Sequence, residues 1–243
     1  MRTASAALAA QPQADERRKE LFQNALVRQG LEAFSGRAKS LPLGLRLVDE
    51  TLPEGGLPRG AVVELSAPQG LARATTLALA LCASAQNEAK LRGEADTRGA
   101  WCAFLDPTAS LFAPAMARIG VDLERLLVVR PSADDLARVA VRVASSNAFS
   151  VVVVDTVGVP GARAEVRLER WVTIVRRLAL AVEGSDTTVL LLTDASASRA
   201  MPLPTAMRIE LDRVAEDKLA LRVAKDRRGR VTAPQSITLG KTA

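Results

Sequence analysis

The chain of 243 residues has no histidine and no tyrosine, holds two cysteines, and draws only 3% of its residues from the aromatics. Each shortage excludes a kind of chemistry. Without imidazole there is no Ser-His-Asp triad, no histidine-metal site and no imidazole acid or base. Cys82 and Cys102 cannot form a four-cysteine zinc site or a disulfide framework. Each lies in an apolar stretch, which fits buried thiols in a reducing compartment, so the expected location is the cytoplasm. The scarcity of aromatics argues against single-strand binding by base stacking. Long apolar runs are missing too. The longest, Leu77 to Ala85, is largely alanine and leucine and falls short of the roughly 20 residues needed to cross a bilayer, so no membrane contact is expected.

Hydrophobic residues make up 48% of the chain and charged ones 25%, and the length suits one domain of roughly 200 residues with short appendages. The expected division is a disordered tail over 1–14, an amphipathic helix and linker over 15–40, and a core over 41–243. The first ten residues faintly resemble a signal peptide, but their apolar part is alanine with one leucine and a charged helix follows, so a disordered tail is expected. That helix opens on Asp15-Glu-Arg-Arg-Lys-Glu-Leu21, whose acidic first turn suits the helix dipole. Phe22, Leu26, Leu31 and Phe34, with Val27, recur at helical spacing and form an apolar stripe. Two readings stand: the stripe packs on its own core, or it docks on a neighbouring subunit or partner.

The net charge of +6 is unevenly placed. Residues 1–155 hold 18 basic and 17 acidic residues (+1), and residues 156–243 hold 15 and 10 (+5). Of the 33 basic residues 27 are arginine, whose planar donor fork suits phosphate and carboxylate recognition. Arginine-rich coding bias is the competing explanation. A basic groove that tracks phosphates stays open as a reading.

From Ala61 the chain alternates short apolar runs with helical stretches. Strands are expected at Ala61–Leu65, Trp101–Leu105, Leu126–Val129, Val151–Val154 and Thr188–Leu192. Helices fall near Leu47–Leu52, Thr75–Lys90, Pro114–Gly120, Asp134–Asn147 and Arg167–Glu183. Continuous apolar strands separated by helices predict an α/β fold with a mostly parallel central sheet and helices on both faces. The end differs. Met207, Ile209 and Leu211, then Leu219, Leu221 and Val223, alternate at period two around Ala215-Glu-Asp-Lys218, which predicts an antiparallel extension with a third strand near Gln235–Leu239.

In open α/β sheets ligands sit at the carboxyl ends of the strands, so the first strand-to-helix loop is the place to look for chemistry. A phosphate loop there would read G-x-x-x-x-G-K-[ST]. This chain has Ala67-Pro68-Gln-Gly70-Leu-Ala72-Arg73-Ala74. The loop length fits, but both framing glycines are alanine, the lysine is arginine, and the magnesium-binding hydroxyl is missing, with Thr75 one place late. Alanine restricts the positive φ and close approach that phosphate needs, and Arg73 is bulkier than a lysine ammonium. Val151-Val-Val-Val-Asp155 ends as a magnesium-holding strand would. A turn-capping Asp is the other reading.

Several segments in one order resemble the RecA core over roughly residues 40–240: Gly56-Leu-Pro-Arg-Gly60-Ala-Val-Val-Glu-Leu65, the loop just described, Cys102-Ala-Phe-Leu-Asp106, Ile119 to Leu127, Val151 to Asp155, and Leu221-Arg-Val-Ala-Lys-Asp-Arg227. The resemblance implies a RecA-like P-loop NTPase fold. Within that group the chain looks most like the ImuA family, RecA-like accessory proteins encoded beside the inactive Y-family polymerase homologue ImuB and an error-prone DnaE-type polymerase. What that resemblance implies is a role in SOS mutagenesis and translesion synthesis. RecA and ImuB would be partners, the polymerase would be reached indirectly, any DNA contact would be weak, and the protein would join the nucleoid when bound to its partners. Where RecA keeps its catalytic glutamate this chain has Pro107-Thr108, and the pair that senses the γ-phosphate in RecA falls on Thr193-Asp194. Only Gly158 to Glu165 and Ala195 to Pro204 are available for the two DNA-binding loops. The Lys-x-Lys motif that reaches a neighbour's ATP falls on Lys225 and Arg227, with Arg228 and Arg230 beside it; a solvated basic turn is the plainer reading. No ATPase activity and no cofactor are expected, beyond at most a weak ATP contact. The alternatives are a DNA-dependent ATPase using Arg73 and Thr75, and a basic DNA-binding module.

Overall fold

The computed structural model describes residues 40–68, 73–91, 101–158, 170–196, 202–215 and 218–238. The expected tail and the stripe of Phe22, Leu26, Leu31 and Phe34 lie outside the described residues, as do most of the two expected DNA-binding loops. The strands are β1 Ser40–Leu41, β2 Leu57–Pro58, β3 Ala61–Ala67, β4 Cys102–Leu105, β5 Leu126–Val129, β6 Val151–Asp155, β7 Thr188–Asp194, β8 Met207–Arg213, β9 Lys218–Asp226 and β10 Gln235–Thr238. The helices are α1 Arg46–Asp49, α2 Ala74–Leu91, α3 Ala113–Ile119, α4 Leu136–Ser145 and α5 Trp171–Val182. β1 and β2 form a small antiparallel pair, and the other eight strands form one sheet in the order β10-β9-β8-β3-β7-β6-β4-β5. From β5 through β8 neighbours run parallel, and β9 and β10 are added antiparallel.

The strand sequences explain this order. Every residue of β3, β4 and β6 is buried, as befits strands covered on both faces. One layer of the core sets α2 against Val63, Leu65, Val153, Leu190 and Leu192. The opposite layer sets α4 and α5 against Val62, Val152, Val154, Val189 and Leu191. Both outer helices bury a stripe at three- and four-residue spacing: Leu136, Ala140 and Ala144 on α4, and Trp171, Val175, Leu178 and Val182 on α5. Helix α2 is rich in alanine and leucine, strong helix formers, and buries most of its length. Gly60 has a φ of +63°, and a Cβ there would lie 2.7 Å from the carbonyl oxygen of Ser185. The turn into β3 therefore requires glycine.

The expected helices on both faces cover β3, β4, β6 and β7, and the expected antiparallel extension follows at the far end. β8 and β9 alternate: Met207, Ile209, Leu211, Leu221 and Val223 are buried, while Arg208, Glu210 and Arg222 point to the other face. Among the described residues no helix covers that other face of the hairpin. The period-two pattern gives one apolar and one charged face, and the charged one has no reason to recruit a cover.

Candidate functional site

The crevice lies where β3 separates β7 from β8, the point at which the strand order reverses. Ala67 ends β3 in register with Asp194 of β7, and its carbonyl accepts the Ala195 N–H at 3.0 Å. Pro68 follows. Gly70 and Ala72 of the loop lie outside the described residues. The chain is described again at Arg73, which is half-buried and whose carbonyl accepts the Leu77 N–H at 2.9 Å. Ala74 is buried and Thr75 half-buried in the first turn of α2. Strand, loop and helix thus stand in the expected sequence.

Asp155, at the carboxyl end of β6, is 3% exposed, and its Oδ1 accepts the N–H groups of Val157 and Gly158, both at 2.9 Å. Burial pushes its carboxyl above the usual carboxylate range, the two N–H donors oppose that, and the charge of Asp106 adds to it. Asp106, following β4, is fully buried and caps its own loop. Oδ1 accepts the Ser110 N–H at 2.9 Å and hydroxyl at 3.0 Å, and Oδ2 accepts the Leu111 N–H at 3.0 Å. Thr108 lies inside this loop and presses on the next one. Gly158 has a φ of +63°, and a Cβ there would fall 2.3 Å from Thr108 Cγ2.

Thr193 donates its hydroxyl to Glu64 Oε1 at 2.7 Å, wholly inside the protein, and the Asp194 carboxylate accepts the Ser196 N–H at 2.9 Å and hydroxyl at 2.7 Å. Glu64 sits in the middle of β3 with no exposure, and the Arg208 Nε lies 3.9 Å from its Oε2. Arg208 also pairs with Glu210 at 3.1 Å, and Glu210 with Arg222. Outside this chain of charges a cavity of about 420 Å³ opens between Pro68, Ala195, Arg208, Glu210, Arg222 and Pro234. Sequence reading passed over Glu64. A carboxylate inside the apolar run Ala-Val-Val-Glu-Leu was the available sign, because a buried acid requires a partner.

The basic residues sit at the end of β9 and in the turn after it. Lys225 folds inward and donates its Nζ to the Leu203 carbonyl at 3.1 Å. Burial lowers its pKa from the ordinary lysine value, Glu64 opposes, and Arg208 and Arg227 reinforce. Arg227 is exposed. Arg228 pairs through Nη1 with Glu54, and Arg230 reaches both Glu54, at 2.9 Å, and Asp226, at 2.8 Å. Arg230 holds the Asp226 carboxyl below the usual carboxylate range. Glu54 lies 174 positions before Arg228, which is why no local pattern announces the pairing.

A mostly parallel sheet with this strand order, a loop opening α2 at the reversal point, and an antiparallel C-terminal addition together define a RecA-like α/β domain. A model of the RecA N-terminal domain matches residues 11–170, and the chain belongs to that family. It is 34% identical over 145 residues to RecA of Brucella anthropi, covering 59% of this chain and 37% of the relative. It is 37% identical over 150 residues to RecA of Thermus thermophilus, covering 60% and 41%, and 30% identical over 177 residues to RecA of Mesorhizobium japonicum, covering 68% and 46%. The chain thus spans less than half the length of these relatives. Among the described residues no helix is long and apolar enough to cross a membrane.

Proposed function

We propose that this chain is a non-catalytic RecA-like accessory protein of the ImuA type. It acts in DNA-damage-induced mutagenesis and translesion synthesis by binding RecA, ImuB or both, and the error-prone DnaE-type polymerase is engaged through ImuB. Family membership supports the wider field of DNA repair and recombination. What carries the narrower reading is the fate of the polar groups at the strand ends. Asp155 is engaged by two backbone N–H groups, Thr193 by Glu64, and Thr108 lies against Gly158. A magnesium-bound nucleoside triphosphate needs a hydroxyl where Ala74 stands and donors where Asp194 adds negative charge beside Ala67. These residues do not fit that group.

A protein with the RecA frame and no matching chemistry is suited to binding other proteins through the frame. Pull-down of the full chain against purified RecA and purified ImuB tests this. Retention of either partner is the expected result, and retention of neither contradicts the proposal. A corollary is that the chain caps RecA filaments: RecA strand exchange should slow when this protein is in excess, and an unchanged rate contradicts the corollary.

A second reading, a DNA-dependent ATPase with an unusual loop, is favoured by one observation. The strand-loop-helix frame is complete at its described ends, and Asp155 stands at the end of β6. That reading requires ATP turnover that disappears in Asp155→Ala.

A further inference from the structure

Helices α4 and α5 pack side by side over one face of the sheet. Between them they hold four arginines and no carboxylate. Their buried stripes turn to the sheet, and Arg138, Arg142, Arg176 and Arg177 are all exposed on the side away from it. An exposed helix face gains from acids set against bases at three- and four-residue spacing, and like charges at that spacing repel. Here Arg138 and Arg142 stand four positions apart and Arg176 and Arg177 are neighbours in the chain, so the face works against itself. Asp135, just before α4, relieves Arg138 at 2.8 Å. Among the described residues Arg142, Arg176 and Arg177 have no ion-pair partner. One turn along α5 from Arg176, Leu180 is 71% exposed, although Leu178 of the same helix is fully buried. Neither the repulsion nor the exposed leucine serves the fold.

We propose that the outer face of α4 and α5 docks an acidic amphipathic helix of a partner protein, its carboxylates on the four arginines and an apolar side chain on Leu180. Charge complementarity sets the sign of the partner. Guanidinium forks pair with carboxylates bidentately, and an acidic partner removes the repulsion that the free face carries. Leu180 sets the class. A protein segment offers an apolar side chain among its carboxylates, as interfaces with an apolar centre and a polar rim require, whereas a phosphate backbone has nothing apolar to lay on it. A helix laid along two neighbouring helices is ordinary packing. The inference stands on these two helices alone and not on binding to RecA or ImuB, so the failure of either leaves the other in place.

The probe is a fluorescein-labelled amphipathic peptide of glutamate, leucine and alanine, titrated with the full chain and followed by anisotropy. The parent should bind it, with affinity falling as salt rises. Arg142→Glu combined with Arg176→Glu should weaken binding at least about tenfold, because two attractions become repulsions. Arg118→Glu combined with Arg213→Glu makes the same charge change on exposed residues elsewhere and should shift binding by less than about twofold. Leu180→Ala should weaken it about threefold to fivefold. Thermal unfolding separates docking from a structural role. Arg142→Glu sets an opposite charge four positions from Arg138, so the melting temperature should hold or rise while binding is lost. Arg142→Gln combined with Arg176→Gln, which keeps the face free of like-charge repulsion and of new acids, should weaken binding in the same direction by a smaller factor. No binding by the parent, or equal loss in the two charge-reversed double variants, overturns the proposal. A Leu180→Ala variant that binds like the parent overturns the apolar contact. Loss of binding to a labelled single-stranded oligonucleotide on reversing Arg142 and Arg176, with the peptide unaffected, overturns the protein partner.

Discussion

Asp155 and Asp226 are both carboxylates on the last residue of a strand, β6 and β9, and they are perturbed in opposite directions. Asp155 is buried beside Asp106 and its pKa is raised; Asp226 is beside Arg230 and its pKa is lowered. The loops at the ends of β4 and β6 satisfy Asp106 and Asp155 with their own N–H groups and the Ser110 hydroxyl, whereas the turn after β9 pairs its charges with one another and with Glu54 near the surface. The first arrangement is costly to disturb and closed to exchange. The second is cheap to disturb and open to it. At the ends of β4 and β6 the carboxylates turn inward onto their own loops, and at the C-terminal hairpin the charges pair near the surface.

The largest effect that would sharpen this contrast comes from Asp106→Ala. It removes a wholly buried carboxylate that accepts three hydrogen bonds from Ser110 and Leu111 and should cost about 3–5 kcal/mol in urea unfolding. Next is Gly158→Ala, which meets Thr108 and adopts a positive φ; it should cost about 2–4 kcal/mol. Gly158→Ala combined with Thr108→Ala should recover part of that and leave about 1 kcal/mol, the backbone share. Full additivity of the two changes would break the account of how these loops meet.

The two aspartates should also separate by pH. The native state raises the pKa of Asp155, so protonation favours folding. The stability gap between Asp155→Asn and the parent should widen as pH rises from about 3.8 through the raised pKa, then level off. Asp226 has the reverse sign. Its contribution is full above about 3.8 and is lost as pH falls towards its lowered pKa, so Asp226→Asn should cost stability near neutrality and little in strong acid. Equal slopes for the two variants would erase the distinction. The smallest change expected is in the stability of Glu54→Gly, within about 0.5 kcal/mol of the parent, because weak exposed pairs are traded for a backbone relaxed at a φ of +60°.

The sheet was readable because its strands are apolar runs of strand length. Leu126–Val129 matches its expected bounds, and β6 differs only by including Asp155. The alternation in Met207–Leu211 and Leu219–Val223 predicted the hairpin, and β8 and β9 pair antiparallel across those residues. The same alternation marked one face as charged, and that is the face without a helix. What could not be read are pairings set by tertiary proximity. Glu54 meets Arg228 across 174 positions and Glu64 meets Thr193 across 129. The direction of Lys225 was also hidden, since a lysine reaching outward and one folded onto Leu203 have the same local sequence. Asp155 carried two readings in the sequence, and its contacts in the structure are those of a turn cap.

The central claim, a RecA-like frame whose crevice does no nucleotide chemistry, is tested most directly by steady-state ATP turnover of the purified full chain with and without single-stranded DNA. The account predicts a rate equal to the protein-free blank in both conditions, unchanged in Asp155→Ala. Turnover stimulated by single-stranded DNA and lost in Asp155→Ala would contradict it.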